Sequence, residues 1–307
     1  MRRVIVDTAK SASSLISVTL NKLLGSRAEG ALGILVYHRV SPIPHGVVRP
    51  TWNVQPERFR RQMLELLDRG YSVWPLKSVI DYCMSAKTIP SKVTAITFDD
   101  GYETVYLRAW PVLQELRIPA TIFVATAYLD SHEPFPFDDW GSLYHEQVPP
   151  ETWRPLTWAQ CQEMESAGLI EIGTHSHTHG DFRGNPEALK QDLRMSLEIL
   201  QEKLGARRYS FAFPYGSRQL GFVDDSLLNV AQEAGVACAF TTEIELVNPR
   251  SSPFGWGRIE AVETDTGTTL SAKLEGWYCW MGKAREWFRL LCPPAAIVNS
   301  REGISQS

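Results

Sequence analysis

Short apolar runs alternate with amphipathic segments along most of this 307-residue chain. The apolar runs predict β-strands at residues 32–37, 71–74, 93–98, 120–125, 169–173, 209–213 and 236–241. Apolar positions at helical spacing predict helices at residues 56–69, 104–116, 157–168, 186–204 and 226–234. Strands that alternate with helices form parallel βαβ units. About seven such strands favour closure into a (β/α) barrel over an open sheet, so the pattern predicts an α/β barrel.

Three segments depart from this alternation. Residues 128–155 are rich in proline, aspartate and aromatic residues, and such long loops in compact domains are usually functional or disordered. Residues 270–291 predict a C-terminal helix that either packs on the domain or touches a membrane interface. The first 27 residues carry five basic side chains and one acidic one. They predict an amphipathic helix that either caps the domain or lies on an anionic membrane surface. Its apolar face consists of Ile16, Leu20, Leu23 and Leu24.

These departures divide the chain into three parts. We expect an N-terminal amphipathic segment over residues 1–30, a barrel domain over residues 31–262, and a C-terminal helix and tail over residues 263–307. The sequence shows neither a secretory signal nor a run of about 18–20 apolar residues, so we expect a location in the cytoplasm or at the cytoplasmic face of the membrane.

The composition narrows the class of protein. Hydrophobic residues make up 44% of the chain and charged residues 21%, which is typical of a globular protein and excludes a disordered one. The net charge of -4 offers no basic excess for a nucleic-acid partner. Five cysteines without a CxxC pair argue against a disulfide framework and against a cysteine zinc site. The oligomeric state stays open.

Adjacent carboxylates follow the predicted strand at residues 93–98. In the sequence TFDDG, Asp99 and Asp100 cannot both point into the core, so one can bind a cation while the other takes a proton. The alternative is an ordinary turn that caps a helix, because Asp-Gly is common in turns. Taken alone, this motif favours the ordinary turn.

Three histidines lie within the sequence HSHTH, after the predicted strand at residues 169–173. On a helical turn His175 and His179 are four residues apart and reach the same point, whereas His177 points elsewhere. Two imidazoles and one carboxylate with an open position are typical of a catalytic metal site. The spacing therefore favours metal binding over a structural role.

A third cluster, RYSFAFPYG, ends the strand predicted at residues 209–213. Its Pro-Tyr-Gly turn can direct a backbone N–H toward a developing oxyanion. Arg208 can pair with a carboxylate and keep it ionised. Taken alone, this segment is a strand followed by a turn.

Read together, the three clusters resemble the polysaccharide deacetylases, which are the NodB-homology carbohydrate esterases of family four. TFDDG, HSHTH and RYSFAFPYG match the first three motifs of that family in order, and the resemblance spans residues 32–260. It implies a distorted (β/α) barrel, commonly of seven strands. It also implies that Asp100, His175 and His179 hold a divalent metal, with Zn²⁺ as the default and Co²⁺, Ni²⁺ or Fe²⁺ as alternatives.

The same resemblance assigns the remaining roles. Asp99 would be the general base, Arg208 would orient it, and the Tyr215 backbone N–H would stabilise the oxyanion. Substrate would contact Pro214 and Tyr215. Further substrate contacts are expected from Trp256, in the segment nearest to the fourth motif, and from Trp140.

Trp140 belongs to the aromatic residues of the long loop, which either stack on sugar rings or fold the loop onto the barrel. These residues are Phe135, Phe137, Trp140 and Tyr144.

One expected element is missing from the sequence. The fifth motif, L-x-H, supplies the general acid in many members of the family, but no match follows Arg258, and all seven histidines lie at or before residue 179. The proton for the leaving amine must then come from His177, from His38 or from a water at the metal. The resemblance nonetheless implies a metal-dependent hydrolase that removes N-acetyl groups from a saccharide containing N-acetylhexosamine, in polysaccharide or glycan-precursor biosynthesis. The alternatives are a deacylase acting on a non-sugar amide and a catalytically silent carbohydrate-binding relative.

Overall fold

The computed structural model describes residues 16–85 and 87–279 of the chain. The predicted N-terminal segment and the predicted C-terminal helix therefore lie partly outside the described residues. Within the described ranges, no helix is long and apolar enough to cross a bilayer.

The helices follow the predicted order, with two additions. Amphipathic segments form helices because their apolar stripe can be buried against the sheet. The helices are α1 (residues 16–24), α2 (Pro56–Asp68), α3 (Leu76–Met84), α4 (Trp110–Leu116, entered through a π-helical turn Val105–Ala109), α5 (Asp139–Tyr144), α6 (Trp158–Ser166), α7 (Pro186–Leu204), α8 (Asp225–Glu233) and α9 (Gly267–Ala272, continued by π-helical turns Lys273–Trp277). The sequence pattern did not predict α3 or α5.

Parallel strands form the centre of the molecule. They are β1 (Gly33–Tyr37), β2 (Arg39–Val40), β3 (Asn53–Val54), β4 (Ser72–Val73), β5 (Val93–Phe98), β6 (Ala120–Val124), β7 (Ile170–Thr174), β8 (Phe211–Ala212), β9 (Ala239–Phe240), β10 (Phe254–Trp256) and β11 (Ile259–Glu260). The main sheet runs in the order β10-β9-β8-β7-β6-β5-β1-β11, with β4 also paired to β5, while β2 and β3 pair separately.

The two edges of this sheet belong to one continuous segment of chain. β10 pairs with β9, β11 pairs with β1, and only Gly257 and Arg258 separate β10 from β11. The segment therefore links both edges and closes the sheet into a distorted barrel of about seven positions, as predicted. Arg258 lies at the join.

The strands of the barrel contribute to two hydrophobic clusters, one between the strands and the helices and one inside the barrel. Both exist because successive strand residues point to opposite faces. On β1, Tyr37 faces the helices and packs edge-on against Phe59 of α2, with ring centroids 5.2 Å apart. Its near neighbour Ile34 belongs to a second cluster with Phe123 and Phe240 inside the barrel. Strands buried on both faces explain why their sequences are continuous apolar runs rather than alternating ones.

The two ends of the described chain pack on each other. The Trp277 indole N–H donates to the Gly25 carbonyl at 2.7 Å, and the Ser17 hydroxyl donates to the Trp277 carbonyl at 2.8 Å. For the described residues, these bonds favour packing on the domain. Contact of either end with a membrane stays a prediction.

Candidate metal centre and active site

All three sequence motifs meet at one end of the barrel. Asp99 follows β5, His175 follows β7 and Tyr215 follows β8. Because the carboxyl ends of parallel strands lie at the same edge of a sheet, the loops after them surround one site. They line a cavity of about 510 Å³, within the size range of small-molecule sites.

Asp100, His175 and His179 form a compact group at the floor of this cavity. The Nε2 atoms of His175 and His179 each lie 3.5 Å from Oδ1 of Asp100, and one potential ligand atom from each residue lies within 4.8 Å of the others. The three residues are buried, with 2–7% of their surface exposed. The structure thus brings together the three predicted metal ligands.

The donor set fits a divalent metal. Ligand atoms about 2.0–2.1 Å from a tetrahedral ion lie roughly 3.3 Å from one another, close to the two carboxylate–imidazole separations observed. Nδ1 of His175 lies 2.7 Å from the Ala212 carbonyl. Since a carbonyl only accepts, Nδ1 carries the proton and the Nε2 lone pair faces the site.

The local electrostatics also suit a cation. Burial acts to lower the pKa of His175, but the negative charges of Asp99 and Asp100 raise it, and the same charges would attract a metal ion. Burial acts to raise the pKa of Asp100, but the adjacent imidazoles of His175 and His179 hold it well below its ordinary value. Burial lowers the pKa of His179, which keeps this imidazole neutral. An ionised carboxylate and a neutral imidazole are the protonation states that metal binding requires.

Side chains of helix α7 stabilise the loop of residues 175–179, which we call the histidine loop. The carboxylate of Asp192 accepts hydrogen bonds from the backbone N–H of His177 at 2.5 Å and of Thr178 at 3.1 Å, and from the Thr178 hydroxyl at 2.5 Å. One turn later, the Ser196 hydroxyl lies 2.6 Å from that of Thr174. The sequence analysis missed both helix residues, although a serine on the apolar face of α7 was an available signal.

Arg258, not Arg208, pairs with the candidate base. Its two terminal nitrogens donate to the two oxygens of Asp99 at 2.6 and 2.7 Å, and both side chains are at most 2% exposed. Arg208 instead donates to the carbonyls of Gly235 and Val236 at 3.1 and 2.7 Å. The prediction that Arg208 orients Asp99 is therefore wrong.

The pairing sets the protonation state of Asp99. Burial acts to raise its pKa, but the charge and the hydrogen bonds of Arg258 hold the pKa below its ordinary value. Asp99 is therefore ionised at neutral pH, as a general base must be.

Of the two histidines that could supply the proton for the leaving amine, one lines the cavity. His38, directly after β1, is among its lining residues. The Nδ1 atom of His177 lies 2.9 Å from the Thr126 hydroxyl, which in turn donates to the hydroxyl of Ser196 on α7 at 3.1 Å. The geometry therefore favours His38 over His177.

Tyr215 stands at the rim of the cavity. Its ring is 44% exposed and lies edge-on to that of His179, with centroids 4.9 Å apart. Its backbone is left-handed, with φ 59°, in a tight turn where the Gly216 N–H donates to the Pro214 carbonyl at 2.6 Å. Pro214 is buried and supports the turn.

The long loop contributes one wall of the cavity. Phe137 stacks on the candidate ligand His179 with centroids 3.7 Å apart. Trp140 also lies in this wall, but it is 4% exposed and its indole N–H donates to the Val48 carbonyl at 2.6 Å. Asp138 forms a buried ion pair with Arg39, which ties the loop to the barrel. These contacts favour the packing alternative for Trp140.

Trp256 does not have the predicted position. It is 3% exposed, packs against Phe240 inside the barrel and donates from its indole N–H to the Ser251 hydroxyl at 3.2 Å. A residue enclosed in this way has no face for a sugar. The predicted substrate contact of Trp256 is therefore wrong.

Comparison with known proteins gives a consistent result. The family model described as polysaccharide deacetylase matches residues 86–239, half of the chain. A poly-beta-1,6-N-acetyl-D-glucosamine N-deacetylase of Staphylococcus aureus (strain MSSA476) is 25% identical over 236 residues, covering 74% of this chain and 73% of the relative.

Two solved structures share the fold. IcaB from Ammonifex degensii matches with a TM-score of 0.66 and 24% identity, over 80% of this chain and 97% of that one. The deacetylase PplD of Streptococcus pyogenes matches with a TM-score of 0.65 and 20% identity, over 80% and 98% of the two chains.

Proposed function

The chain belongs to the polysaccharide deacetylase family, and from that premise we propose that it is a metal-dependent hydrolase that removes N-acetyl groups from a polysaccharide of N-acetylhexosamine during its synthesis. One observation carries the proposal. The Asp100–His175–His179 group and the ionised Asp99 lie side by side at the floor of a single cavity. The S. aureus relative is named for a β-1,6-linked N-acetylglucosamine polymer, which makes such a polymer the first substrate to test.

The metal centre would be held by Asp100, His175 and His179. Two imidazoles and a carboxylate favour Zn²⁺, with Co²⁺, Ni²⁺ or Fe²⁺ as alternatives. When bound, the ion supplies Lewis-acid polarisation of the acetyl carbonyl and lowers the pKa of water.

The side chains around this centre divide the proton transfers between them. Asp99 accepts the proton of the attacking water, and Arg258 holds its carboxylate ionised and in a fixed orientation. The Tyr215 N–H donates to the oxygen on which negative charge develops. His38 gives a proton to the leaving amine. The products are acetate and a free amino sugar.

Two other functions remain as competitors. The same site would serve a deacylase on a non-sugar amide, which predicts acetate release from small amides and none from sugars. A silent carbohydrate-binding relative needs no intact base. The buried, paired Asp99 speaks against it, since an ion pair in the core brings little stability compared with apolar packing.

Acetate release tests the proposal. The purified chain is incubated with β-1,6- and β-1,4-linked N-acetylglucosamine oligomers and with N-acetylated amino acids, with and without a chelator. We expect acetate from a saccharide, abolished by the chelator, restored by a divalent metal and absent in Asp99→Asn. Release from the amino acids alone would support the deacylase. Stoichiometric metal without release from any substrate would contradict the proposed reaction.

A further inference from the structure

A strained and exposed tryptophan borders the cavity. Trp52 has φ 52°, in the left-handed region, and 53% of its surface is exposed. This conformation is a marked outlier for a bulky residue, costing more than it does for glycine or asparagine. More than half of this large side chain stays in contact with solvent, so its burial offsets only part of that cost. The combination therefore points to a role in binding rather than in folding.

The surrounding chain forces this conformation. Arg39 donates its backbone N–H to the Trp52 carbonyl at 3.2 Å and a guanidinium N–H to the Thr51 carbonyl at 3.3 Å. On the other side, the Asn53 side chain donates to the Ser41 carbonyl at 2.8 Å and accepts from its N–H at 3.0 Å. Strained residues persist where neighbouring bonds over-determine them, and they cluster at ligand sites.

The ring of Trp52 lies beside the residues that carry the chemistry. It is nearly parallel to the ring of His38, with centroids 5.6 Å apart and planes inclined by 23°. Both residues line the cavity, as does the half-exposed ring of Tyr215. The cavity thus has an exposed aromatic ring at Trp52, next to the candidate acid, in addition to the one at Tyr215.

We propose that Trp52 is a sugar-stacking subsite, which binds the pyranose ring next to the sugar that loses its acetyl group. The inference rests on the proposed function. The C–H face of a hexosamine is apolar, and an indole offers it a large, rigid surface at low entropic cost. A ring stacked on Trp52 would orient the polymer so that the leaving amine lies toward His38.

Binding is measured separately from turnover to test this subsite. Calorimetry with the tetrasaccharide of N-acetylglucosamine uses the metal-loaded Asp99→Asn variant, which keeps the ligands but lacks the base, alone and combined with Trp52→Ala, Trp52→Leu or Trp52→Tyr. We expect the dissociation constant to rise roughly two- to tenfold for Ala and Leu and to stay near the parent value for Tyr. Met84→Ala serves as the control and should leave the dissociation constant unchanged, because Met84 is an exposed apolar residue on α3 that does not line the cavity.

A second measurement excludes a folding effect. Trp52→Gly relieves the left-handed strain, so its thermal midpoint should not fall, while its dissociation constant should rise as in Trp52→Ala. Unchanged tetrasaccharide binding in Ala and Leu, or equal weakening in Tyr and Ala, would overturn the subsite. In the wild-type background, Trp52→Ala should raise KM for the tetrasaccharide more than for the monosaccharide. An equal loss of kcat on both would overturn it too, because Trp52 would then act only through His38.

The outcomes for the subsite and for the proposed function are separable. Weaker tetrasaccharide binding in Trp52→Ala without acetate release by the wild type would contradict the deacetylase and keep the saccharide subsite. Acetate release by the wild type with unchanged tetrasaccharide binding in Trp52→Ala would support the deacetylase and contradict the subsite.

Discussion

Replacing Arg258 with glutamine should show how much its ion pair with Asp99 contributes to the stability and to the activity of the protein. Its guanidinium donates to both oxygens of Asp99 and also lies 3.2 Å from the Thr97 hydroxyl, and it is 1% exposed. Glutamine keeps a polar amide at this position but removes the positive charge and the pair of parallel N–H donors. Asp99 would then be a buried carboxylate without its ion-pair partner.

Two losses of known size follow. Removing one partner of a buried ion pair destabilises a protein by about 3–5 kcal/mol, because the remaining charge is left unpaired. A mispositioned or protonated base costs about 10²- to 10⁴-fold in rate. We therefore expect Arg258→Gln to lower the free energy of unfolding by about 3 kcal/mol or more and kcat/KM by at least about 10²-fold. The metal ligands are untouched, so metal content should persist.

Urea unfolding, metal analysis and acetate-release kinetics measure the three quantities. Arg208→Gln is the matched control, since Arg208 is exposed and bonds only to main-chain carbonyls among the described residues. Its unfolding free energy should change by about 0.5 kcal/mol or less. If Arg258→Gln kept the wild-type kcat/KM, or if Arg208→Gln lost as much kcat/KM as Arg258→Gln, the ion pair with Arg258 would not be what keeps Asp99 active.

Three further predictions address neighbouring parts of the site. Asp99→Asn should retain metal and lose about 10²- to 10⁴-fold in kcat, whereas Asp100→Asn should lose metal; equal metal loss by both, seen in metal analysis, would contradict the division of roles. Asp192→Ala should weaken metal affinity by about 10- to 100-fold in a chelator competition, and an unchanged affinity would mean that the histidine loop does not need α7. Trp140→Ala should lower the unfolding free energy by about 3–5 kcal/mol in urea with metal content unaltered; a raised KM without that loss would favour sugar stacking.

Much of the barrel could be predicted from the sequence because long, fully buried strands are visible as apolar runs. β5 and α7 begin and end at the predicted residues, and the Thr157 side chain caps α6 through the Gln160 N–H. The strands that were missed are short, with two or three residues each. A two-residue strand such as β2 or β11 has no periodicity to detect, and its conformation depends on partners far along the chain.

The candidate site was predictable only where its chemistry is local. His175 and His179 stand four residues apart, and Asp99 and Asp100 are adjacent, so a strand-end rule sufficed to bring them together. The partner of Asp99 is 159 residues away. It depends on closure of the barrel at the join between β10 and β11, which no local pattern encodes.

The backbone at the site shows a further property that the sequence conceals. Asp100, Ser176, His179 and Tyr215 all have positive φ, between 55° and 71°, although none is glycine or asparagine. Each left-handed residue costs about 1–2 kcal/mol, so the four together are expensive for a marginally stable fold. The histidine loop keeps this geometry because Asp192 binds its N–H groups and the Ser176 hydroxyl accepts from the His179 N–H at 3.0 Å. Residues other than the metal ligands therefore hold the ligands in place. For this reason Asp192, a residue of α7 that bonds to the backbone of the loop and to no ligand side chain, should control metal affinity.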